Sequence, residues 1–197
     1  MGYTMNAKER ILQAAVKVFA EKSFEGSRID EIAREAQVPK SLIYYHFKSK
    51  DDIFQVLVDN FIEEYLTLIS GAIDETHQEK AEAVGNRMKN VYQEFGLKNA
   101  DLVRVILIDS LKKTKEKPVL FRIVDAMTAK EAAAKGTSYP LQERRIAEFF
   151  TSFMPNYAYL CFADSWIKYF NMERCEFDEL YLKVYEETHG AYHKNHE

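Results

Sequence analysis

Apolar residues recur at intervals of three and four along most of the chain, which is the spacing of a helix that buries one face. Seven Gly and four Pro in 197 residues leave few interruptions, and no segment shows the strict alternation of a half-buried strand. The pattern therefore predicts an all-α protein. A first helix is expected from about residue 6 to residue 22, and its buried stripe consists of Ile11, Leu12, Ala15, Val18 and Phe19.

Two short helices are predicted to follow the first one. After a break over residues 23–26, Ser27 stands where the N-cap of a second helix belongs. A tight turn at residues 37–38 leads to Pro39, which suits the first position of a third helix that ends near Phe47. Two short helices joined by a minimal turn form a helix-turn-helix.

The third predicted helix has two unlike faces. Ile43 and Phe47 lie together on one side, so we expect them to anchor this helix on the first two. The opposite face is then free to enter a DNA major groove. At roughly 100° per residue, this outward arc spans about 140° and carries polar and aromatic side chains. Its members are Lys40, Ser41, Tyr44, Tyr45 and Lys48.

Charge patterning supports contact between this helix and nucleic acid. Residues 37–50 contain three Lys, one His and two adjacent Tyr but no acidic residue, although the net charge of the protein is -4. Residues 1–50 hold nine Lys or Arg against six Asp or Glu, whereas the remaining residues hold 18 against 25. A cationic surface gains affinity by releasing counterions from phosphates, so double-stranded DNA is the predicted partner of the N-terminal part.

The remaining helices are predicted to form a separate acidic body. Ser49 is expected to cap a fourth helix that runs to about Asp74. We therefore divide the chain into a helix-turn-helix DNA-binding domain, residues 1–50, and a helical-bundle domain, residues 51–197. Further helices are predicted at about residues 78–95, 100–112, 118–135, 141–153, 156–171 and 177–190, with a break at Pro155.

The last two predicted helices carry more aromatic residues than a terminal hairpin needs to dock on its own core. Excess apolar surface of this kind indicates a protein partner. The residues assigned to this surface are Phe162, Trp166, Tyr169, Phe177, Tyr181 and Tyr185.

Several classes of protein are disfavoured. No apolar run reaches the ~18 to 20 residues that span a bilayer, and no hydrophobic signal core opens the chain, so we expect a cytoplasmic protein without membrane contact. Cys161 and Cys175 are too few for a disulfide framework or a four-ligand zinc site. No nucleophile motif or glycine-rich phosphate loop stands out, so no enzyme activity, cofactor or metal is predicted.

Two alternative functions stay open at this point. The spacings Asp74–His77 and Glu186–His189 resemble the Glu-x-x-His motif of helical bundles that hold two metals, although such sites also need two further inward carboxylates. Further His residues near the C-terminus could bind a metal adventitiously. Alternatively, the body could sense a protein partner or a redox state through Cys161 or Cys175.

Four features occur together in residues 7–61. They are the hydrophobic stripe of the first helix, the Ile32–Ala33 pair, the string YYHF at residues 44–47 and the Ser-Lys-acidic-acidic start of the fourth helix. In this combination the segment resembles the TetR family of transcriptional regulators. The resemblance implies a ligand-binding body, homodimerisation through the last two helices, and a repressor that leaves a palindromic operator when a small hydrophobic or aromatic-compatible effector binds.

The resemblance also implies roles for individual residues. Ser27 and Arg28 would approach phosphates at the start of the second helix, and Lys50 would hold a phosphate at the start of the fourth. The residues implied to line the recognition helix are Lys40, Ser41, Tyr44, Tyr45 and His46. The family commonly has Gly at the positions of Gln37 and Ser41 and a small hydroxyl residue at Pro39, so the base preference is not inherited.

A ligand pocket is expected where the fourth, fifth and seventh predicted helices surround the centre of the body. Aromatic and Met side chains also form ordinary cores, and as a pocket they would suit a lipophilic cation as well as a neutral hydrophobe. The sequence leaves these possibilities open. The candidate lining residues are Phe61, Tyr65, Met88, Tyr92, Phe121 and Met127.

Overall fold

A computed structural model describes residues 5–74, 95–112, 118–136 and 140–192. Within these ranges the backbone is helical and contains no strand, which confirms the all-α prediction. The predicted helix over residues 78–95 lies almost entirely outside the described residues. The helices are α1 (Ala7–Gly26), α2 (Ile29–Glu35), α3 (Lys40–His46), α4 (Lys50–Asp74), α5 (Ala100–Ser110), α6 (Val119–Lys135), α7 (Leu141–Ala147), α8 (Met154–Phe170) and α9 (Arg174–Tyr185).

The first helix is longer than its sequence suggests. Four members of the predicted stripe are buried, but the expected break over residues 23–26 is a kink at Ser23, after which α1 continues to Gly26. The prediction that Ser27 caps α2 is wrong, because the Ser27 hydroxyl donates to the carbonyl oxygen of Phe24 at 2.6 Å and thereby serves the end of α1. Arg28 is the N-cap, and its backbone N–H donates to Glu31 Oε2 at 2.9 Å.

Helix α3 is held on α1 and α2 by its inward side. Ile43 is completely buried and Phe47 nearly so, as the pattern predicted. They belong to one apolar core with buried residues of the first two helices. This core fixes α3 from behind, and it therefore decides which side chains face outward.

Replacing Ile43 with Ala should lower the free energy of unfolding by about 2 to 5 kcal/mol, because it opens a cavity in a site that has no exposed surface. Urea denaturation would measure the change. Tyr45→Ala on the same helix is the matched control, since the Tyr45 side chain is exposed and its removal should cost less than ~0.5 kcal/mol. Equal losses for the two variants would contradict the assigned faces of α3.

Helix α4 begins with a reciprocal cap that its sequence predicts. The backbone N–H of Asp52 donates to Ser49 Oγ at 3.1 Å, and the backbone N–H of Lys48 donates to Asp52 Oδ2 at 2.8 Å. Two donors at the helix start are thereby satisfied. The cap places the start of α4 directly after the recognition helix and so joins the DNA-binding domain to the body.

The body has an aromatic core. The Phe61 and Tyr65 rings of α4 lie 5.1 and 6.0 Å from the Phe95 ring, and Tyr65 is also 5.7 Å from Phe153. Helix α5 is central, as its apolar sequence predicts, and it packs along α1 as well as against α6 and α8. The contact between α1 and α5 brings the two predicted domains together.

The predicted break at Pro155 is wrong. A π-helical segment, Glu148–Phe153, joins α7 to α8 without interruption, and Pro155 lies in the first turn of α8. Since the helix is continuous here, the ring nitrogen of Pro155 cannot donate the backbone hydrogen bond of an ordinary helical residue, and this bond is missing where the π segment passes into α8. A second π-helical segment, Glu186–Gly190, extends α9. The two π segments contact each other across the terminal hairpin.

In this hairpin, five pairs of side chains with polar groups lie along the seam where α7 and α8 meet α9 and its extension. We call these pairs the polar ladder. Ser152 Oγ lies 2.9 Å from Tyr185 Oη, and Tyr159 donates its hydroxyl to Asp178 Oδ1 at 2.8 Å. On the α7–α8 side, four of the five positions are spaced by four residues and are buried. The pairs are Arg144–Tyr192, Glu148–His189, Ser152–Tyr185, Asn156–Tyr181 and Tyr159–Asp178.

A π segment explains how the α7–α8 side of the polar ladder stays aligned. Residues four apart drift by about 40° per step around a straight α-helix, so successive pairs would rotate out of the seam. A π turn takes up more residues than an α turn and reverses this drift. The π segment at residues 148–153 therefore keeps the polar side chains of α7 and α8 that are spaced by four residues facing the seam.

Tyr159 gives the polar ladder a measurable pH dependence. Burial and the hydrogen bond to Asp178 raise the pKa of Tyr159 to about 12. Below pH 10 the phenol is protonated in the folded and unfolded states alike, whereas between pH 10 and 12 only the unfolded state ionises, so stability falls as the pH rises. Relative to Tyr159→Phe, the wild type should lose on the order of 1 kcal/mol over this range, after allowance for solvent screening. Urea unfolding of both proteins at pH 9 and pH 11 would test this, and parallel losses would contradict it.

Candidate nucleic-acid interface

The outward face of α3 is the candidate contact surface for DNA. Tyr45 is 81% exposed and Tyr44 is 52% exposed, although both belong to a short helix whose other face is in the core. Lys40, Ser41 and Lys48 are exposed as well. The structure therefore brings the predicted recognition residues to one accessible surface, and their contact with DNA stays a prediction.

Lys40 is held in place by its neighbours. Its Nζ lies 2.7 Å from Asp30 Oδ1 on α2 and 6.0 Å from the centre of the Tyr44 ring. The hydrogen bond to Asp30 raises the pKa of Lys40 above its ordinary value, so the ammonium stays charged at neutral pH. Sequence reasoning did not identify Asp30 as its partner, because their contact depends on the angle between α2 and α3.

His46 is half-buried at the edge of this face. Its ring lies 5.0 Å from the Tyr45 ring in an edge-to-face arrangement and 6.2 Å from the Phe47 ring. Edge-to-face packing of aromatic rings is favourable at these separations. His46 therefore supports the orientation of Tyr45, and part of its ring faces solvent.

Ser27 and Lys50, both predicted to contact phosphates, form hydrogen bonds within the protein. The Ser27 side chain is buried on Phe24, as described above. Lys50 Nζ donates to the carbonyl oxygens of Phe24 at 2.5 Å, Ser27 at 2.9 Å and Glu25 at 3.3 Å. These carbonyls lie at the end of α1, where the helix dipole favours a cation. Lys50 thus closes the α1–α2 junction in this structure, while Arg28 at the same junction is exposed.

The turn between α2 and α3 contains the expected departure from ordinary backbone geometry. Gln37 has φ of 54°, which is the left-handed region that glycine tolerates best. Pro39 is the N-cap of α3 and not its first helical residue, because its ψ of 145° is extended. Without a side-chain cap, the start of α3 depends on this turn for its position.

Comparison with known proteins identifies this arrangement. Residues 11–57 match the family model described as bacterial regulatory proteins, tetR family. Over this segment the chain is similar to the TetR family. Among characterised TetR-type relatives it is similar to IcaR of Staphylococcus epidermidis, the negative transcriptional regulator of the biofilm operon icaADBC, with 27% identity over 62 residues. That match covers 32% of this chain and 34% of IcaR, about a third of the relative's length.

Solved structures extend the likeness to the body. FadR from Bacillus subtilis, solved in complex with stearoyl-CoA, matches with a TM-score of 0.61 at 18% identity, over 89% of this chain and 96% of FadR. A TetR family transcription regulator from Marinobacter aquaeolei matches with a TM-score of 0.67 at 13% identity, over 92% of this chain and 94% of that one. At these identities the likeness establishes the TetR-family fold, with an N-terminal helix-turn-helix followed by a helical body.

The predicted ligand pocket of the body is brought together only in part. Phe61, Tyr65 and Met127 are buried, and Tyr65 Oη lies 3.9 Å from Met127 Sδ. Phe121 does not join them: it is 56% exposed and lines a surface groove of about 600 Å³ with residues of α7 and the following π segment. The reason is its phase on α6, because Ile123, Val124 and Met127 form the inward side. Met88 and Tyr92 lie outside the described residues.

The residues assigned to a partner surface divide into three groups. Phe162, Trp166 and Tyr169 are exposed on α8, and Leu180 and Val184 are exposed on α9. Phe177 and Tyr181 are partly covered and stack between the two helices. Tyr185 is buried within its own chain through the polar ladder, so the structure places it inside the hairpin and away from the outer surface.

The alternative chemistries find little support among the described residues. These residues contain no group of three or more His, Cys, Asp or Glu side chains that could hold a metal ion. His189 is buried, with Nδ1 2.8 Å from Thr151 Oγ1 and Nε2 3.8 Å from Glu148 Oε2, whereas His77 and the side chain of Asp74 lie outside the description. Burial raises the pKa of the Cys161 thiol, which lowers its reactivity.

No helix in the described ranges combines the length and the apolarity needed to cross a bilayer.

Proposed function

We propose that this protein is a ligand-responsive transcriptional repressor that binds a roughly palindromic DNA operator as a homodimer. The observation that carries the proposal is the outward face of α3, where Lys40, Tyr44 and Tyr45 are accessible while Ile43 and Phe47 fix the helix from behind. A helix presented in this way fits the major groove. The similarity to the TetR family over residues 11–57 supports the same conclusion.

Charge supports DNA as the partner of the N-terminal domain. The excess of basic residues in positions 1–50, set against an acidic body, directs a polyanion to one end of the molecule. Lys48, just after α3, and Arg28, at the start of α2, are exposed and therefore available to phosphates. Phosphate contacts by Ser27 and Lys50 remain proposals. Their hydrogen bonds to carbonyl oxygens support a different role, in which they hold the backbone of the α1–α2 junction in place.

A second copy of the chain is the proposed partner of the terminal hairpin. Its seam is polar and hydrogen-bonded, while its outer face exposes Phe162, Trp166, Leu180 and Val184. Burial of this apolar face against its own symmetry mate would form a closed dimer. Two recognition helices would then reach successive major grooves, about 34 to 36 Å apart.

A hydrophobic effector is the proposed ligand of the body. Phe61, Tyr65 and Met127 form the apolar surroundings that such a ligand needs, and α4 links them to the recognition helix. The structural likeness to FadR, which was solved with stearoyl-CoA, makes a long-chain acyl-CoA the first compound to test. IcaR is a negative transcriptional regulator, which supports repression rather than activation of the genes that this protein controls. An effector that prefers the DNA-incompetent state would release the operator by population shift.

Selection of bound fragments from the source genome would test the proposal. The expected result is enrichment of one palindromic sequence, protected by the protein as a dimer. Stearoyl-CoA should then release this fragment, whereas CoA alone, which has the same headgroup without the acyl chain, should not. Failure to enrich any palindrome would overturn the proposed DNA function. An enriched palindrome that stearoyl-CoA does not release would reject only this class of effector.

A further inference from the structure

Three helices meet at one corner of the molecule, which we call the Phe24 corner. It consists of Phe24 and Glu25 at the end of α1, Lys50 at the start of α4, and Asp109 and Lys112 at the end of α5. Lys50 Nζ lies 4.6 Å from the centre of the Phe24 ring and Lys112 Nζ lies 5.9 Å from it. Cations from the start and the end of different helices therefore converge on one aromatic side chain.

Lys112 has two acidic partners on different parts of the protein. Its Nζ lies 2.9 Å from Asp109 Oδ1 in the last turn of α5, just after which Lys112 lies, and it also forms an ion pair with the carboxylate of Glu25 on α1. Asp109 is only 1% exposed, whereas Glu25 is on the surface. One partner therefore moves with α5, and the other moves with the DNA-binding domain.

The ion pair between Lys112 and Glu25, called the bridge below, stays charged at neutral pH. Burial alone would lower the pKa of Lys112, but its hydrogen bonds to Glu25 and Asp109 more than compensate and raise this pKa above its ordinary value. The hydrogen bond from Lys112 lowers the pKa of Glu25. The Lys112–Glu25 pair is therefore an ammonium and a carboxylate at neutral pH, and its geometry rather than its protonation can change.

The Lys112–Glu25 pair lies next to the α1–α2 junction, which is part of the proposed DNA-binding surface. Glu25 precedes the junction that holds Ser27 and Arg28, and Lys50 binds the carbonyls of the same junction before α4 begins. A shift of α5 by one or two ångströms would separate Lys112 from Glu25 and leave its contact with Asp109 intact, because Asp109 is only three residues earlier in the chain, at the end of α5. The pairing with Glu25 thus depends on the placement of α5 relative to α1.

We propose that Lys112 is a positioning residue that fixes the DNA-binding domain relative to the body through Glu25. The inference rests on the proposed DNA function and adds the residue through which movement of α5 reaches the α1–α2 junction. The α1–α5 contact supplies apolar packing, and the Lys112–Glu25 pair adds a directional contact that exists only in one relative placement of the two helices.

Glu25→Gln is the variant of choice, because it breaks the bridge at its exposed end and leaves Asp109 paired with Lys112. Glu35→Gln is the matched control, since it removes an exposed ion pair with Lys17 that lies wholly within the DNA-binding domain. Hydrogen exchange of the free dimer should be at least threefold faster at the amides of residues 26–31 in Glu25→Gln and unchanged there in Glu35→Gln. The thermal midpoint of both variants should stay at the wild-type value.

A double-mutant cycle with Lys112→Met completes the experiment. Glu25→Gln should lower the affinity for the selected operator about tenfold in the wild-type background and have no effect in the Lys112→Met background, because both substitutions remove the same contact. Wild-type exchange rates in Glu25→Gln, or independent effects of the two substitutions, would overturn the proposal. The exchange measurement needs no DNA, so failure of the proposed DNA function would not be mistaken for failure of this inference.

Discussion

Replacing Lys40 with Met is expected to weaken operator binding by about 10- to 100-fold, which corresponds to ~1 to 3 kcal/mol for a contact with a base edge. The Lys40 ammonium is charged, accessible and oriented by Asp30 and the Tyr44 ring. Met is an unbranched side chain of similar length without a charge, so the loss would come from the ammonium group. Fluorescence anisotropy of the labelled operator at several salt concentrations would measure both the affinity and its salt dependence.

The salt dependence separates two roles for Lys40. A phosphate contact adds about one to the slope of log affinity against log salt, whereas a base contact leaves the slope nearly unchanged when it is removed. Lys17→Met is the matched control, because Lys17 is also an exposed lysine of the DNA-binding domain and pairs with an acid, Glu35, at 2.6 Å. Wild-type affinity for Lys40→Met, or equal losses in the two variants, would contradict a recognition role for α3.

Replacing Trp166 with Glu is expected to convert the dimer to a monomer and to lower operator affinity more than 100-fold. Trp166 is exposed on the hairpin and packs against the Phe170 ring at 4.6 Å, so in the proposed dimer it would lie at the centre of an apolar contact. Large aromatic residues contribute most to such interfaces, and a carboxylate buried among them would lack a partner. Sedimentation velocity would measure the mass, and circular dichroism would check that the helices persist.

Phe121→Glu provides the control for this experiment. Phe121 is also an exposed aromatic residue of the body, but it lies in the groove beside Phe149 and Phe150 and not on the terminal hairpin. It should leave the dimer intact. If Phe121→Glu dissociated the dimer and Trp166→Glu did not, the interface would be the groove, and the proposed use of the last two helices would be wrong.

The helical period was sufficient to predict the two faces of α3. Ile43 and Phe47 are four residues apart and therefore on one side, and the apolar stripes of α1 and α2 offered the surface that buries them. The cap of α4 was predictable for the same reason, since Ser49 and Asp52 interact over three residues. Local spacing decides both features, and local spacing can be read from sequence.

Contacts between distant parts of the chain could not be predicted in this way. Lys50 resembles a free cation in the sequence, but the end of α1, more than 20 residues earlier, supplies three carbonyl oxygens for it. Phe121 was assigned to the interior because helix membership is easier to predict than rotational phase within a bundle. Pro155 suggested a break because the preceding π segment, which lets the helix continue, has no simple sequence signature.

The polar ladder also restricts how the hairpin can go wrong. If α9 slid by one turn, Ser152 would meet Tyr181 in place of Tyr185 and would still find a hydroxyl, so the middle of the ladder tolerates this slip. Its ends do not, because Arg144 would then face His189 and Glu148 would lose its imidazole partner. The chemically distinct outer pairs thus select one lengthwise register of α9, and every hairpin would fold with its exposed apolar residues in the same alignment along the two helices.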